Sequence, residues 1–173
     1  MLSIPHRPTV IYLMGVSGSG KTTVGKLLQQ QSGIPFYDGD DFHPPANIKK
    51  MSSGYPLDDQ DRSGWLSAIH LFVQEHLSSG KSLAVACSAL KARYREQLSA
   101  GLPGQVHWVY LEGTFEHISA RLQSRQGHFM PPALLQSQFD DLEPPHIALR
   151  YSIQQPAADI AKSLLQHLTA TRQ

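Results

Sequence analysis

Short apolar runs alternate along the chain with stretches in which apolar residues recur every three or four positions. The runs predict buried strands and the recurring positions predict amphipathic helices. Strands are expected at 9–14 ("TVIYLM"), 34–38, 82–88, 106–111 and 147–153. Helices are expected at 21–32, 61–80, 90–101, 114–127, 131–143 and 156–168. In "DRSGWLSAIHLFVQEHLSSG" the residues Trp65, Leu66, Ile69, Phe72, Val73, His76 and Leu77 share one helical face, and Gly80 stops the helix. Thr114 suits an N-cap, and proline opens the helix at 131. Strands separated by helices imply parallel crossovers. The fold class expected is α/β, a three-layer sandwich around a five-stranded parallel sheet. Nothing divides residues 1–173, so one domain is expected. The segment 39–60 is polar and rich in Pro, Gly and Asp, and reads as a long loop of the kind that binds ligands.

Composition adds bounds. The 173 residues suit a single core, with 40% hydrophobic and 17% charged residues. A formal net charge of +1 gives no global attraction to nucleic acid or anionic membrane. Cys87 is the single cysteine, so no intrachain disulfide forms, which fits a reducing compartment. "MLSIPHRP" lacks a signal-peptide core, and no run has the length of a membrane span. The expectation is a soluble, cytoplasmic protein with no nucleic-acid or membrane partner.

The chemistry begins at "GVSGSGKT", Gly15 to Thr22, which fits G-x-x-x-x-G-K-[ST] at every fixed position. At average composition such a match arises roughly 4 times in 10⁵ positions. It also lies between a predicted strand and a predicted helix, as a phosphate cradle must. Gly15, Val16, Ser17, Gly18, Ser19, Gly20, Lys21, Thr22 and Thr23 are therefore the expected nucleotide-binding residues. Backbone N–H groups and the helix dipole would face the phosphates. Lys21 reaches the β- and γ-phosphates, and the Thr22 hydroxyl suits Mg²⁺.

A second cluster, "YDGDDFHPP", follows the second predicted strand. Ligands in parallel sheets gather at the carboxyl ends of strands, so Asp38 and Asp40 can face the cradle. One carboxylate suits a metal-bound water and the other suits a proton from an attacking hydroxyl. Asp41 reads as a solvated turn residue and Cys87 as a packing residue. Arg121 and Arg125 lie four apart on one helical face, just before a stretch that reads as a lid, and are expected to join the nucleotide-binding residues as the positive charge that meets the phosphates.

Together, "MGVSGSGKT", "DGDDFHPPANIKKM", "GYPLDDQDRSGWL", "CSALKARYR" and "RLQSRQGHFMPPALLQSQFDDLEPP" resemble gluconate kinases (gluconokinases), from about Tyr12 to Pro145. The resemblance implies a P-loop fold of the nucleoside-monophosphate-kinase and shikimate-kinase type. It implies transfer of the ATP γ-phosphoryl group, with Mg²⁺, to the 6-hydroxyl of D-gluconate, and a homodimer. It places Asp38 with Mg²⁺ and its waters, and Asp40 against the acceptor hydroxyl as orienter and base. Lys21, Asp40 and Arg125 become the expected catalytic residues. His43, Lys50, Arg62, Lys91 and His128 join Asp40 as acceptor contacts, with Arg62 suited to the gluconate carboxylate. Asn47 and Asp61 fall within the same pocket segment, and Arg95 is a secondary candidate beside Lys91. The resemblance puts the acceptor region at about 39–80 and the lid at about 125–145, with His128 and Phe129 in the lid. Phe42 stands where an aliphatic residue is commoner, and the tail after Pro145 matches least. Base contacts are expected near "SIQQP".

Three other readings compete. A kinase of the same fold acting on shikimate or a nucleotide would keep the chemistry and change the acceptor. A GTPase switch would use Asp61 to Gly64 as D-x-x-G, but that stretch opens a helix and no N-K-x-D motif is present. A nucleotide-dependent binding module would bind ATP without an acceptor.

Overall fold

The computed structural model describes residues 7–125 and 131–170. Its central strand, β1 (Val10–Met14), is buried throughout. Such a strand is covered on both faces and so reads as a continuous apolar run. Its side chains alternate between two cores. Ile11 and Leu13 pack with α1 (Lys21–Ser32), α7 (Ala157–Ala170) and the inner sides of α5 (Phe115–Ser124) and α6 (Pro132–Asp141). Val10, Tyr12 and Met14 pack with α3 (Asp59–Ser78) and α4 (Ala92–Ser99). Each fully buried aliphatic side chain here contributes about 1.5–3 kcal/mol.

The remaining strands are β2 (Phe36–Asp38), β3 (Leu83–Ala86), β4 (Val106–Glu112) and β5 (Leu149–Ser152). The sheet order is β2-β3-β1-β4-β5, and every pairing is parallel. The expected three layers and five parallel strands are present. Among the described residues no helix is long and apolar enough to cross a membrane.

The main departure lies in the segment expected to be a loop. It contains a 3-10 turn, Gly39–Phe42, and a helix, α2 (Pro45–Ser52). Pro45 supplies the fixed φ that suits a first helical position. However, α2 buries only the polar Asn47, so it carries no apolar periodicity to betray it. The next helix begins before its expected start, at Asp59, because Asp58 and Asp61 form a reciprocal capping box. Helix α4 begins at Ala92 rather than 90, after Ala89 turns through φ 44°. Arg95 braces that turn by donating to the carbonyls of Ala89 and Leu90, and it also reaches Glu143 O at 2.8 Å.

Candidate active site

The cradle forms where β1 hands over to α1. Gly15, Gly18 and Gly20 all have positive φ, a region in which side-chain-bearing residues are strained. Gly20 caps α1 with no side-chain hydrogen bond. The N–H groups of the first turn, around Lys21, Thr22 and Thr23, are thus left to an external acceptor. Ser19 Oγ is sealed from solvent without a hydrogen-bond partner, the one such side-chain atom among the described residues. These uncapped donors suit a phosphate chain. Lys21 folds over the loop and donates to Gly15 O at 2.8 Å and Val16 O at 3.0 Å. Burial pulls its ammonium below the usual range, against the opposing attraction of Asp40 and Asp38.

The acidic turn is docked on the neighbouring strand. A Cβ at Gly39 would stand 2.3 Å from Ala86 O, so only glycine lets the turn lie on β3. Trp65 Nε1 donates to Gly39 O at 2.7 Å and fixes the same peptide from α3. Asp38 Oδ1 accepts from the Asp40 N–H at 3.0 Å, and Asp38 Oδ2 accepts from the Thr22 hydroxyl at 2.8 Å. The two residues expected at a metal are therefore in contact. A hydroxyl beside hard carboxylate oxygens is the donor set Mg²⁺ favours while retaining waters.

Asp40 is 85% solvent-accessible at its side chain. Partial loss of hydration beside the neighbouring protein, together with Asp38, raises its carboxyl above the usual range, while Lys21 opposes the shift. Asp41 is exposed, as expected of a turn residue. Cys87 is buried, and burial pushes its thiol up to about 12, which agrees with packing.

His43 lies flat on Trp65, with ring centroids 4.2 Å apart, and its side chain is only 5% exposed. Asn47 Nδ2 donates to Asp61 O at 2.8 Å and faces His43 Nδ1 at 3.3 Å. Nδ1 therefore accepts, and the proton sits on Nε2, 3.8 Å from Asp40 Oδ1. Burial, reinforced by Arg62, lowers the imidazole to about 4. His43 is thus a neutral donor beside Asp40 at physiological pH.

Arg62 is buried on α3, and its Nη1 meets Asp141 Oδ2 at 2.8 Å and the Tyr94 hydroxyl at 3.1 Å. Lys91 bridges Asp59 and Asp141, at 3.3 Å each. Asp59 also accepts from Tyr94 and Arg93, and these bonds, led by Tyr94, hold its carboxyl at about 2. Lys50 is engaged with Asp61 at 2.5 Å and Asp58 at 3.5 Å, so it ties α2 to the capped start of α3. Arg95 lies outside this group, with all three of its side-chain hydrogen bonds on main-chain carbonyls.

On the other side of the cradle, Arg121 donates to Ile153 O in the turn after β5, and its Nη1 would lie 3.8 Å from a Cβ at Gly20. Arg125, at the end of α5, is close enough to Lys21 to oppose its charge. Both arginines converge on the phosphate cradle. His128 and Phe129 lie outside the described residues. Phe42 packs edge-on against Phe72, with centroids 5.0 Å apart.

Four further side chains reach the site. Trp65 belongs by its spacing to an apolar face. Tyr94, Gln138 and Asp141 fall within segments that carry the family resemblance, but no local pattern marks their individual roles. Gln138 reaches the cradle from α6, accepting the Ser17 N–H at 2.8 Å and donating to Ser17 Oγ at 3.0 Å.

Comparison with known proteins agrees with this geometry. The shikimate kinase family profile matches residues 17–163. A probable gluconokinase of Rattus norvegicus is 44% identical, over 93% of this chain and 98% of that protein. The thermosensitive gluconokinase of Escherichia coli (strain K12) is 43% identical, over 93% and 88% respectively. A solved gluconokinase from Sinorhizobium meliloti 1021 is 42% identical and superposes with a TM-score of 0.85, over 96% of this chain and 95% of that one.

Proposed function

We propose that this chain, which belongs to the gluconokinase family, transfers the γ-phosphoryl group of ATP to the 6-hydroxyl of D-gluconate, giving 6-phosphogluconate and ADP. The observation that carries the reading is the Thr22–Asp38 hydrogen bond of 2.8 Å, which joins the acidic turn to the phosphate cradle. That contact supports a reading in which acceptor and donor chemistry meet.

The cradle amides and Lys21 hold the phosphates, and Arg121 and Arg125 face them from α5. Thr22 would hold Mg²⁺ and Asp38 would act on it through water, and the ion would supply neutralisation of the charge that develops on the phosphates. Asp40, its carboxyl raised by partial loss of hydration, orients the acceptor hydroxyl and takes its proton. The neutral His43 donates from Nε2 to an acceptor hydroxyl, and Arg62 takes the carboxylate at the far end. Lys50 and Lys91 complete the set of acceptor contacts as hydrogen-bond donors, their charge already balanced by carboxylates of the protein. The region 39–80 is the acceptor platform, and 125–145 is the lid, which includes His128. The same reading carries a homodimer and a cytoplasmic setting.

The test is Mg²⁺- and ATP-dependent ADP release with D-gluconate, shikimate, nucleoside monophosphates or no acceptor. Release with gluconate alone, with 6-phosphogluconate as product, is the expected result. Release with shikimate or a nucleotide instead would overturn the acceptor assignment.

A further inference from the structure

Arg62 offers an edge of its guanidinium that the protein itself does not use. Its side chain is 8% exposed. Among the described residues only Nη1 has partners, Asp141 Oδ2 and the Tyr94 hydroxyl. The Tyr94 ring lies 5.5 Å from the guanidinium carbon. Nε and Nη2, the two nitrogens of the side edge, are unpartnered. They are not sealed, since Ser19 Oγ is the one sealed and unpartnered side-chain atom among the described residues. A buried arginine held at one corner and open along its side edge is a receptor for a planar carboxylate, which accepts two parallel hydrogen bonds.

The corner clamp comes from α6. Asp141 is fixed through both oxygens, Oδ2 by Arg62 and Oδ1 by Lys91 at 3.3 Å. Three residues earlier on the same helical face, Gln138 is bonded twice to Ser17 of the cradle. One rigid helix therefore touches the phosphate loop with one side chain and the buried arginine with another. His43 is close enough to Arg62 to feel its charge and lies 3.8 Å from Asp40. Through Asp38 and Thr22 this succession of neighbours connects the guanidinium to the phosphate cradle. It suits an acceptor with a hydroxyl at one end and a carboxylate at the other.

We propose that Asp141 is a positioning residue for acceptor specificity: it holds Arg62 Nη1 so that the Nε–Nη2 edge takes the acid end of the acceptor. The proposal rests on the reading of the chain as a sugar-acid kinase. Arg62 binds the acid and Asp141 acts only through it. The effect of Asp141 is therefore confined to carboxylate acceptors.

The experiment is steady-state kinetics of the full chain and of Asp141→Asn, Asp141→Ala and Tyr94→Phe, with ATP and D-gluconate each varied. D-glucitol, the polyol without the carboxylate, serves as a second acceptor. Asp141→Ala should raise the gluconate KM about tenfold or more while the ATP KM stays within about twofold. The preference for gluconate over D-glucitol in kcat/KM should fall by the same factor. Asp141→Asn, which keeps an oxygen acceptor, should recover part of the loss, and Tyr94→Phe should give a smaller rise in the same constant. An unchanged gluconate KM in both Asp141 variants overturns the proposal. So does a lowered one, which would make Asp141 a competitor for Arg62. Gluconate and ATP KM values rising together would show general damage to α6 and overturn it as well. A wild type that turns over no gluconate sinks the acceptor reading and this proposal together; gluconate turnover with unmoved variants sinks this proposal alone.

Discussion

His43 should make the stability of the fold depend on pH in a narrow window. Its imidazole is lowered from 6.5 to about 4, first by burial and then by Arg62. Between those values the unfolded chain binds a proton that the folded chain refuses. The stabilisation is therefore complete above pH 6.5, is lost as pH falls through the window, and levels off below about 4. For this one group the loss between pH 7.5 and 4.5 is about 2.5 kcal/mol. The side chain is 5% exposed, so solvent screens the effect little. His43→Asn removes the titration and keeps an oxygen near the position of Nδ1. Urea unfolding of both proteins across pH 4.5–7.5 reads the contribution, because titrating groups that do not touch His43 cancel in the difference. The wild type should lose about 2–3 kcal/mol more than the variant over that range. A difference below about 0.5 kcal/mol would refute the account of a buried, neutral imidazole.

Asp40→Asn should cost about 10²–10⁴ in kcat, the usual range for loss of a general acid–base group, with ATP binding retained. Near-normal turnover would remove Asp40 as both base and orienter. Gly39→Ala should destabilise the protein by about 1–3 kcal/mol, because its Cβ meets a backbone oxygen at 2.3 Å that has little room to yield. Its melting temperature and kcat should fall together, and a fully stable, fully active variant would contradict the docking of the turn on β3.

How much of this was legible in the sequence depends on the range of the signal. The cradle was legible because its physics is local: glycines, a lysine and a threonine at fixed spacing between a strand and a helix. Asp38 and Asp40 were legible once the sheet was assumed parallel, since both follow a strand at its carboxyl end. Helix α2 was not, because it buries asparagine where an amphipathic helix buries aliphatic residues. The Arg62–Asp141 pair spans 79 positions and the Ser17–Gln138 pair 121. Such partners meet only through the packing of α6, and neither residue type announces it. Lys50 and Lys91 were expected to contact the acceptor, yet each already holds carboxylates of the protein. Spacing shows where a charge lies along the chain but not which neighbour will neutralise it.

Strand β3 runs between β1, which leads into the cradle, and β2, which leads into the acidic turn. The strands from which the cradle and the acidic turn spring are thus two strand spacings apart, roughly 10 Å, and the loops close that interval above the sheet. Backbone hydrogen bonds set that gauge, and the loops inherit it. Thermal motion can tilt Lys21 or swing Asp40, but widening the interval would mean breaking one of the two ladders that flank β3. In-line transfer needs a constant span more than stiff side chains, and here the backbone of the sheet sets the span.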